Sequence, residues 1–160
     1  MRAVGVRLRP LRDDEFDAYV EHGKRWFARQ LVDDGVVPEL ARQTAEAEWA
    51  RMLPDRLDSP DQFIFAIDDE TSGERVGDAW LSRRPTPLTG AVAFVASIEI
   101  AAPFRRRGFA REAMQLLEDE ARAQGLDRII LNVYGNNEPA RSLYRSLGYD
   151  ERAVTMAKQL

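Results

Sequence analysis

Cysteine is missing from this chain, and histidine occurs once, at His22. Without thiols there is no disulfide, no thiolate metal site and no cysteine nucleophile. A single imidazole cannot build a histidine-rich metal cluster, so the expectation is that no metal is used. A serine triad would have to recruit His22, which the pattern places on a surface helix beside Glu21 and Lys24. Long apolar runs are missing too, and none approaches the 18 or more residues of a membrane span. Arg2, Arg7 and Arg9 near the N-terminus are not followed by the apolar stretch of a secretory signal. These absences point to a cytoplasmic protein with no membrane partner. Excess positive charge is also lacking: the net charge of −4 argues against a nucleic-acid surface.

What is present suits a globular enzyme. At 160 residues, 44% hydrophobic and 31% charged, the chain has the size of one domain, 1–160, with a real core. Val6 and Leu8 alternate with Arg7 and Arg9 in a short strand ending at Pro10. Asp13, Asp14, Glu15 and Asp17 open a helix, where negative charge suits the N-terminal dipole. Phe16, Val20, Phe27 and Leu31 give it an apolar stripe, with Trp26 beside it, and Asp33-Asp34-Gly35 stops it. Pro38 starts a second helix carrying Leu40, Trp49, Met52 and Leu53. Phe63, Phe65 and Ile67 form a strand, 68–73 a turn, and Val76–Leu81 the returning strand. The segment 83–90, with Pro85 and Pro87, reads as a loop. Ala91–Ile100 is a central strand, and Gly108–Gln124 a helix with Ala113, Met114, Leu117 and Ala121 on one face. A strand follows over 128–134. Asn136 or Asn137 then caps a short helix that Gly148 closes. Val154 and Met156 are assigned to a last strand. A strand, helix and strand in succession should be parallel, and the upstream hairpin antiparallel, so the sheet is mixed.

Local charge is uneven. Arg105, Arg106, Arg107 and Arg111 fall within seven residues, in the loop between the central strand and its helix. The segment Arg105-Arg106-Arg107-Gly108-Phe109-Ala110-Arg111 brings helix-start N–H groups together beside a residue with no side chain. That arrangement suits a phosphate, and the arginines add charge-assisted hydrogen bonds. A solvated basic turn is the other reading of the same residues. Neither a Walker loop nor the G-x-G-x-x-G of a dinucleotide fold is present.

Arg105-Arg106-Arg107-Gly108-Phe109-Ala110 resembles the Arg/Gln-x-x-Gly-x-Gly/Ala motif of the GNAT family of N-acetyltransferases. Asn137 and the run Ala140-Arg141-Ser142-Leu143-Tyr144-Arg145-Ser146-Leu147-Gly148-Tyr149 are similar to that family's N-x-x-A-x-x-L-Y-x-x-L-G-F/Y signature. The two motifs stand in the family's order, and the resemblance is close over residues 91–158. It implies an α/β (α+β) fold with a mixed, mostly antiparallel central sheet flanked by helices. It also implies acetyl-CoA as co-substrate and an amine acceptor. Carried over by position, the backbone of Ile98, Glu99 and Ile100 would line the pantetheine arm. The amides of Arg106 through Arg111 (Arg106, Arg107, Gly108, Phe109, Ala110 and Arg111) would hold the pyrophosphate. Asn137 would touch the cofactor near its pantetheine. Tyr144 would protonate the leaving thiolate, a step a phenol can perform; its other reading is aromatic packing of a short helix.

The base is less fixed in this family. Glu99 is the candidate, because some relatives place a Glu on the strand that enters the pyrophosphate loop. A carboxylate between Ile98 and Ile100 needs a reason to be there. It is a base, an amine-binding anion or the partner of a nearby arginine. Asn132 either positions water or substrate or is a polar outward residue, and a water chain is a further route for the proton. The first half of the chain resembles nothing specific, so the acceptor stays open among small-molecule amines, peptide N-termini and lysines. The acyl length and the choice between monomer and homodimer stay open as well. Trp26, Phe27, Trp49 and Trp80 are assigned to the core rather than to an acceptor pocket. The acidic cluster at 13–17 is assigned to capping rather than to attracting a cation. Two other classes compete with the enzyme: a non-catalytic CoA-binding regulatory domain of the same fold, and a nucleic-acid-binding module using the arginines.

Overall fold

The computed structural model describes residues 5–88, 90–158 and 160. Its elements are β1 (Val6–Pro10), α1 (Asp13–Asp33), α2 (Pro38–Met52), β2 (Gln62–Asp69), β3 (Arg75–Thr86), β4 (Gly90–Ile100), α3 (Phe109–Ala123), β5 (Ile129–Leu131) and α4 (Glu138–Ser146). No described helix is long and apolar enough to cross a membrane. The chain divides into two compact units, Met1–Ile130 and Leu131–Leu160.

The first unit is built on a sheet ordered β1-β2-β3-β4-β5. β1 to β4 form successive antiparallel pairs, and β5 joins beside β4 after the α3 crossover, giving the mixed, mostly antiparallel sheet. The segment expected to loop over 83–90 instead lengthens the hairpin, with Pro85 opposite Ala91 and Thr86 opposite Gly90. Proline is tolerated there because β2 begins only at Gln62, opposite Ser82, and with the Arg83 N–H donating to the Asp61 carbonyl at 2.9 Å, Pro85 lies outside the β2 pairing. β5 is shorter than the expected 128–134, and Asn132 and Val133 lie past its end.

One sheet face is covered by α1 and α2. Leu11, Phe16, Tyr19, Trp49, Leu53, Ile64, Ala66 and Trp80 form a single buried cluster there. Trp49 is its hub, with ring centroids 5.8 Å from Tyr19 and 5.2 Å from Trp80. The indole of Trp49 also lies against Gly23: a Cβ built at position 23 would sit 2.1 Å from Trp49 Cζ2. Trp49 and Trp80 are core residues as expected. Trp26 is not, being 50% exposed, because it falls off the stripe of Phe16 and Val20 that α1 turns inward. The helix α3 packs against β1, β3 and β4 through Ala113, Met114, Leu117 and Ala121.

The acidic start of α1 is structural. Glu15 accepts from Arg9 Nη1 and Nη2 at 2.9 and 3.0 Å and from the Arg12 backbone N–H at 2.9 Å. Asp13 and Asp17 pair with Arg56. The Arg9 hydrogen bonds, opposed by burial and helped by the Arg12 amide, hold the Glu15 carboxyl at about 2. A depressed carboxyl stabilises the fold above its ordinary value and loses that contribution as pH falls through the folded one. Glu15→Gln should therefore melt several degrees below the parent at pH 7. The gap should close between about pH 4.5 and pH 2 in a thermal-midpoint series.

In the second unit, Asn137 caps α4, its side-chain oxygen accepting from the Ala140 N–H at 3.3 Å. Arg141 and Arg145 both bridge Glu138 and Glu151. The helix ends at Gly148, whose φ is +92°. The expected last strand is absent among the described residues: 149–158 have no regular structure, and Val154 and Met156 are 71% and 90% exposed. Two alternating apolar residues do not make a strand without a partner edge and a face to bury.

Candidate active site

The site residues of the first unit are arranged by an irregularity in β4. Trp80 pairs with Ser97 but Leu81 pairs with Val95, so Ala96 is an extra, bulged residue. Beyond the bulge, Ser97 and Glu99 lie opposite Trp80 and Asp78, on the face covered by α1. The α1 helix reaches both. Tyr19 Oη lies 3.2 Å from Ser97 Oγ, and His22 Nε2 lies 2.8 Å from Glu99 Oε2. Tyr19 and His22 are three apart on a helix while Ser97 and Glu99 are two apart on a strand, so each pair presents one face.

Glu99 is half-exposed, with 45% of its side chain accessible. The anticipated arginine partner exists: Arg105 Nη2 lies 3.6 Å from Glu99 Oε1, while Arg105 Nε donates to the Ile100 carbonyl at 2.8 Å. The second partner, His22, lies on the exposed surface of α1 as expected, but its pairing with Glu99 was not anticipated. Opposite Glu99, Asp78 accepts from Arg75 Nε at 2.9 Å. Burial holds the Asp78 carboxyl above its ordinary range, with Glu99 reinforcing the shift and Arg75 opposing it. Burial also raises the Tyr19 phenol, against the Ser97 hydrogen bond.

From Ile100 the chain makes a short turn of 3₁₀ helix, Ala102–Phe104, and enters α3. Two residues take positive φ on the way: Arg106 at +62° and Gly108 at +93°. Gly108 is the N-cap of α3 and supplies no side-chain cap. Phe109 anchors the helix start at 2% exposure, edge-on to Phe104. The Arg107 guanidinium lies 5.3 Å from the Phe109 ring centroid and 5.7 Å from that of Phe104. The Arg111 amide, one of those expected to hold an anion, donates to the Gly108 carbonyl at 3.1 Å. Gly108, Phe109 and Ala110 come first at the helix start, where geometry provides no intrahelical acceptor. An anion fits here: a helix N-terminus with no side-chain cap follows three arginines. β5 meets β4 near Ala93, whose N–H donates to Arg128, and at three residues it stops short of Ile98, Glu99 and Ile100.

The second unit carries Asn137 and Tyr144. The Asn137 oxygen is used in capping, so its amide NH₂ is the end left to meet a ligand. Tyr144 is half-buried, 5.8 Å between ring centroids from Tyr149, and burial raises its phenol. Asn132 is exposed beyond the end of β5. Sequence reasoning missed Tyr19, His22, Ser97, Arg75 and Asp78. The available signals were the single histidine one turn after Tyr19 and the alternating Ser97 and Glu99.

Comparison with known proteins agrees with this architecture. The acetyltransferase (GNAT) family pattern matches residues 12–149. An uncharacterized N-acetyltransferase of Bacillus subtilis, YdgE, is 32% identical over 158 residues, covering 98% of this chain and 99% of that protein. The crystal structure of YycN, also from Bacillus subtilis, superposes with a TM-score of 0.87 at 28% identity, covering 98% and 99% of the two chains. A glucosamine-6-phosphate N-acetyltransferase from Arabidopsis thaliana shares the fold, with a TM-score of 0.59 at 18% identity over 97% of this chain and 98% of that one. The uncapped start of α3 behind three arginines and the match along nearly the whole chain lead to one assignment: this protein belongs to the GNAT family of acetyltransferases.

Proposed function

We propose that residues 1–160 act as one N-acetyltransferase domain that moves the acetyl group of acetyl-CoA to an amine by direct attack. The observation that carries the reading is the start of α3, where Gly108 leaves helix-start amides without a side-chain cap. The amides of Arg106, Arg107, Gly108, Phe109 and Ala110 hold the pyrophosphate, with Arg105 and Arg111 adding positive charge. The backbone of Ile98, Glu99 and Ile100 takes the pantetheine amides, and the Asn137 NH₂ assists.

In the reaction the acceptor ammonium first loses a proton on the side of Glu99, directly, through water or through a group that Glu99 holds. The amine nitrogen then bonds to the acetyl carbon and gives its second proton to water, and the carbon–sulfur bond breaks with its electron pair on sulfur. Tyr144 donates a proton to that thiolate and is reprotonated from solvent. A phenol held above its ordinary value by burial stays protonated at neutral pH, as a donor must. The net result is one amide, one free thiol and one released proton. The acceptor is a small-molecule amine or a peptide or protein amine.

Acetyl-CoA at about 100 times its dissociation constant should stabilise the protein by about 2.7 kcal/mol, a rise of about 5–10 °C in the thermal midpoint. Thiol release should then appear with a member of an amine panel covering polyamines, aminosugars, amino acids and peptides. No rise at millimolar acetyl-CoA would end this reading. A rise without thiol release from any amine would favour a CoA-binding regulatory domain.

A further inference from the structure

We propose that His22 is the proton acceptor of the transfer, with Glu99 as the partner that orients it. This rests on the acetyl-transfer reading above and assigns a residue that neither cofactor-binding motif contains. Both carboxylate oxygens of Glu99 are engaged, Oε2 by His22 at 2.8 Å and Oε1 near Arg105 at 3.6 Å. In the neutral ring, an Nε2–H donating to Glu99 places the free lone pair on Nδ1. A carboxylate that fixes a tautomer leaves the imidazole, half-exposed at 53%, as the group able to accept a proton.

The stretch of α1 that carries the ring is held on both sides of it. One turn before it, Tyr19 is buried and bonded to Ser97. One residue after it, α1 lies against Trp49 at Gly23. A base positioned by packed neighbours keeps its geometry without relying on the mobility of a long side chain. The charged and titratable groups facing the pair are Asp78 with Arg75 on β3 and Arg105 in the loop. On α1 itself Glu21, Lys24 and Arg25 are nearest in sequence, and Lys24 is turned toward Glu21 and Glu46. When His22 takes the proton, an imidazolium–carboxylate pair forms beside Arg105. The amine nitrogen is left with the lone pair that attacks, and the proton later passes to water.

The chain holds one histidine, so imidazole nitrogen NMR reads His22 without assignment. The expected spectrum is the Nε2–H tautomer, redistributed in Glu99→Gln. The expected kinetics are a low-pH limb in kcat/KM that coincides with the NMR titration of His22. His22→Gln keeps an amide donor for Glu99 but no basic nitrogen. It should lose that limb and about 10²-fold in kcat/KM while binding acetyl-CoA as the parent does. Parental kcat/KM and limb in His22→Gln, or an Nδ1–H tautomer indifferent to Glu99→Gln, would overturn the assignment and leave acetyl transfer standing. Absence of turnover in the parent across pH and the amine panel would instead remove the transfer reading and this proposal with it.

Discussion

Tyr144→Phe should lower kcat by about 10²–10³-fold, with the dissociation constant for acetyl-CoA changing by less than about twofold. The substitution removes one oxygen from a half-buried ring and leaves its packing against Tyr149 intact. A role confined to aromatic packing would therefore leave the rate unchanged. A proton donor to sulfur would slow the step in which the carbon–sulfur bond breaks and leave ligand binding alone. The deficit should shrink with acyl donors whose leaving thiol is more acidic, because a weaker base needs less protonation in the transition state. Single-turnover rates with matched acetyl thioesters check this. An unchanged kcat, or a loss carried wholly by KM, would take the acid role away from Tyr144.

Gly108→Val should weaken acetyl-CoA binding by at least about 100-fold and abolish the thermal shift. Valine at φ +93° costs about 1–3 kcal/mol of backbone strain, and relief of that strain moves the first turn of α3. The amides that would meet the pyrophosphate move with it. Lower stability alone could imitate this result, so the comparison is Gly35→Val. Gly35 has φ +94° at the end of α1 with open space around its Cα, and the same strain applies there away from α3. The two variants should lose comparable midpoint in the absence of ligand, and only Gly35→Val should regain it with acetyl-CoA. Equal ligand shifts in both would mean that the start of α3 does not bind the phosphates.

The second half of the chain was more legible in the sequence than the first, for a physical reason. Gly108, Asn137 and Gly148 each satisfy a local backbone requirement that only a few residue types can meet, so they mark helix ends on their own. The bulge at Ala96 has no such marker. It is one extra residue in β4 between Val95 and Ser97, and it decides that Ser97 and Glu99 face α1. His22 was out of reach for the same reason: its contact with Glu99 spans 77 positions and depends on how α1 lies across the sheet. Pro85 shows the reverse error. Read alone it breaks a strand, but it is harmless beyond the stretch of β3 that pairs with β2.

Gly23 carries a last consequence. A glycine inside a helix weakens that helix by about 0.5–1 kcal/mol relative to alanine, yet here it lets two helices approach to within the thickness of an indole. Gly23 directly follows His22, so its close fit against Trp49 also places the backbone from which the imidazole reaches Glu99. For the proposed proton acceptor, the absent methyl group thus sets the imidazole's reach. Under that role, α1 swaps that spare Tyr19, His22 and Gly23 should leave the His22–Glu99 contact intact, whereas a side chain at position 23 would displace the helix for every substrate at once.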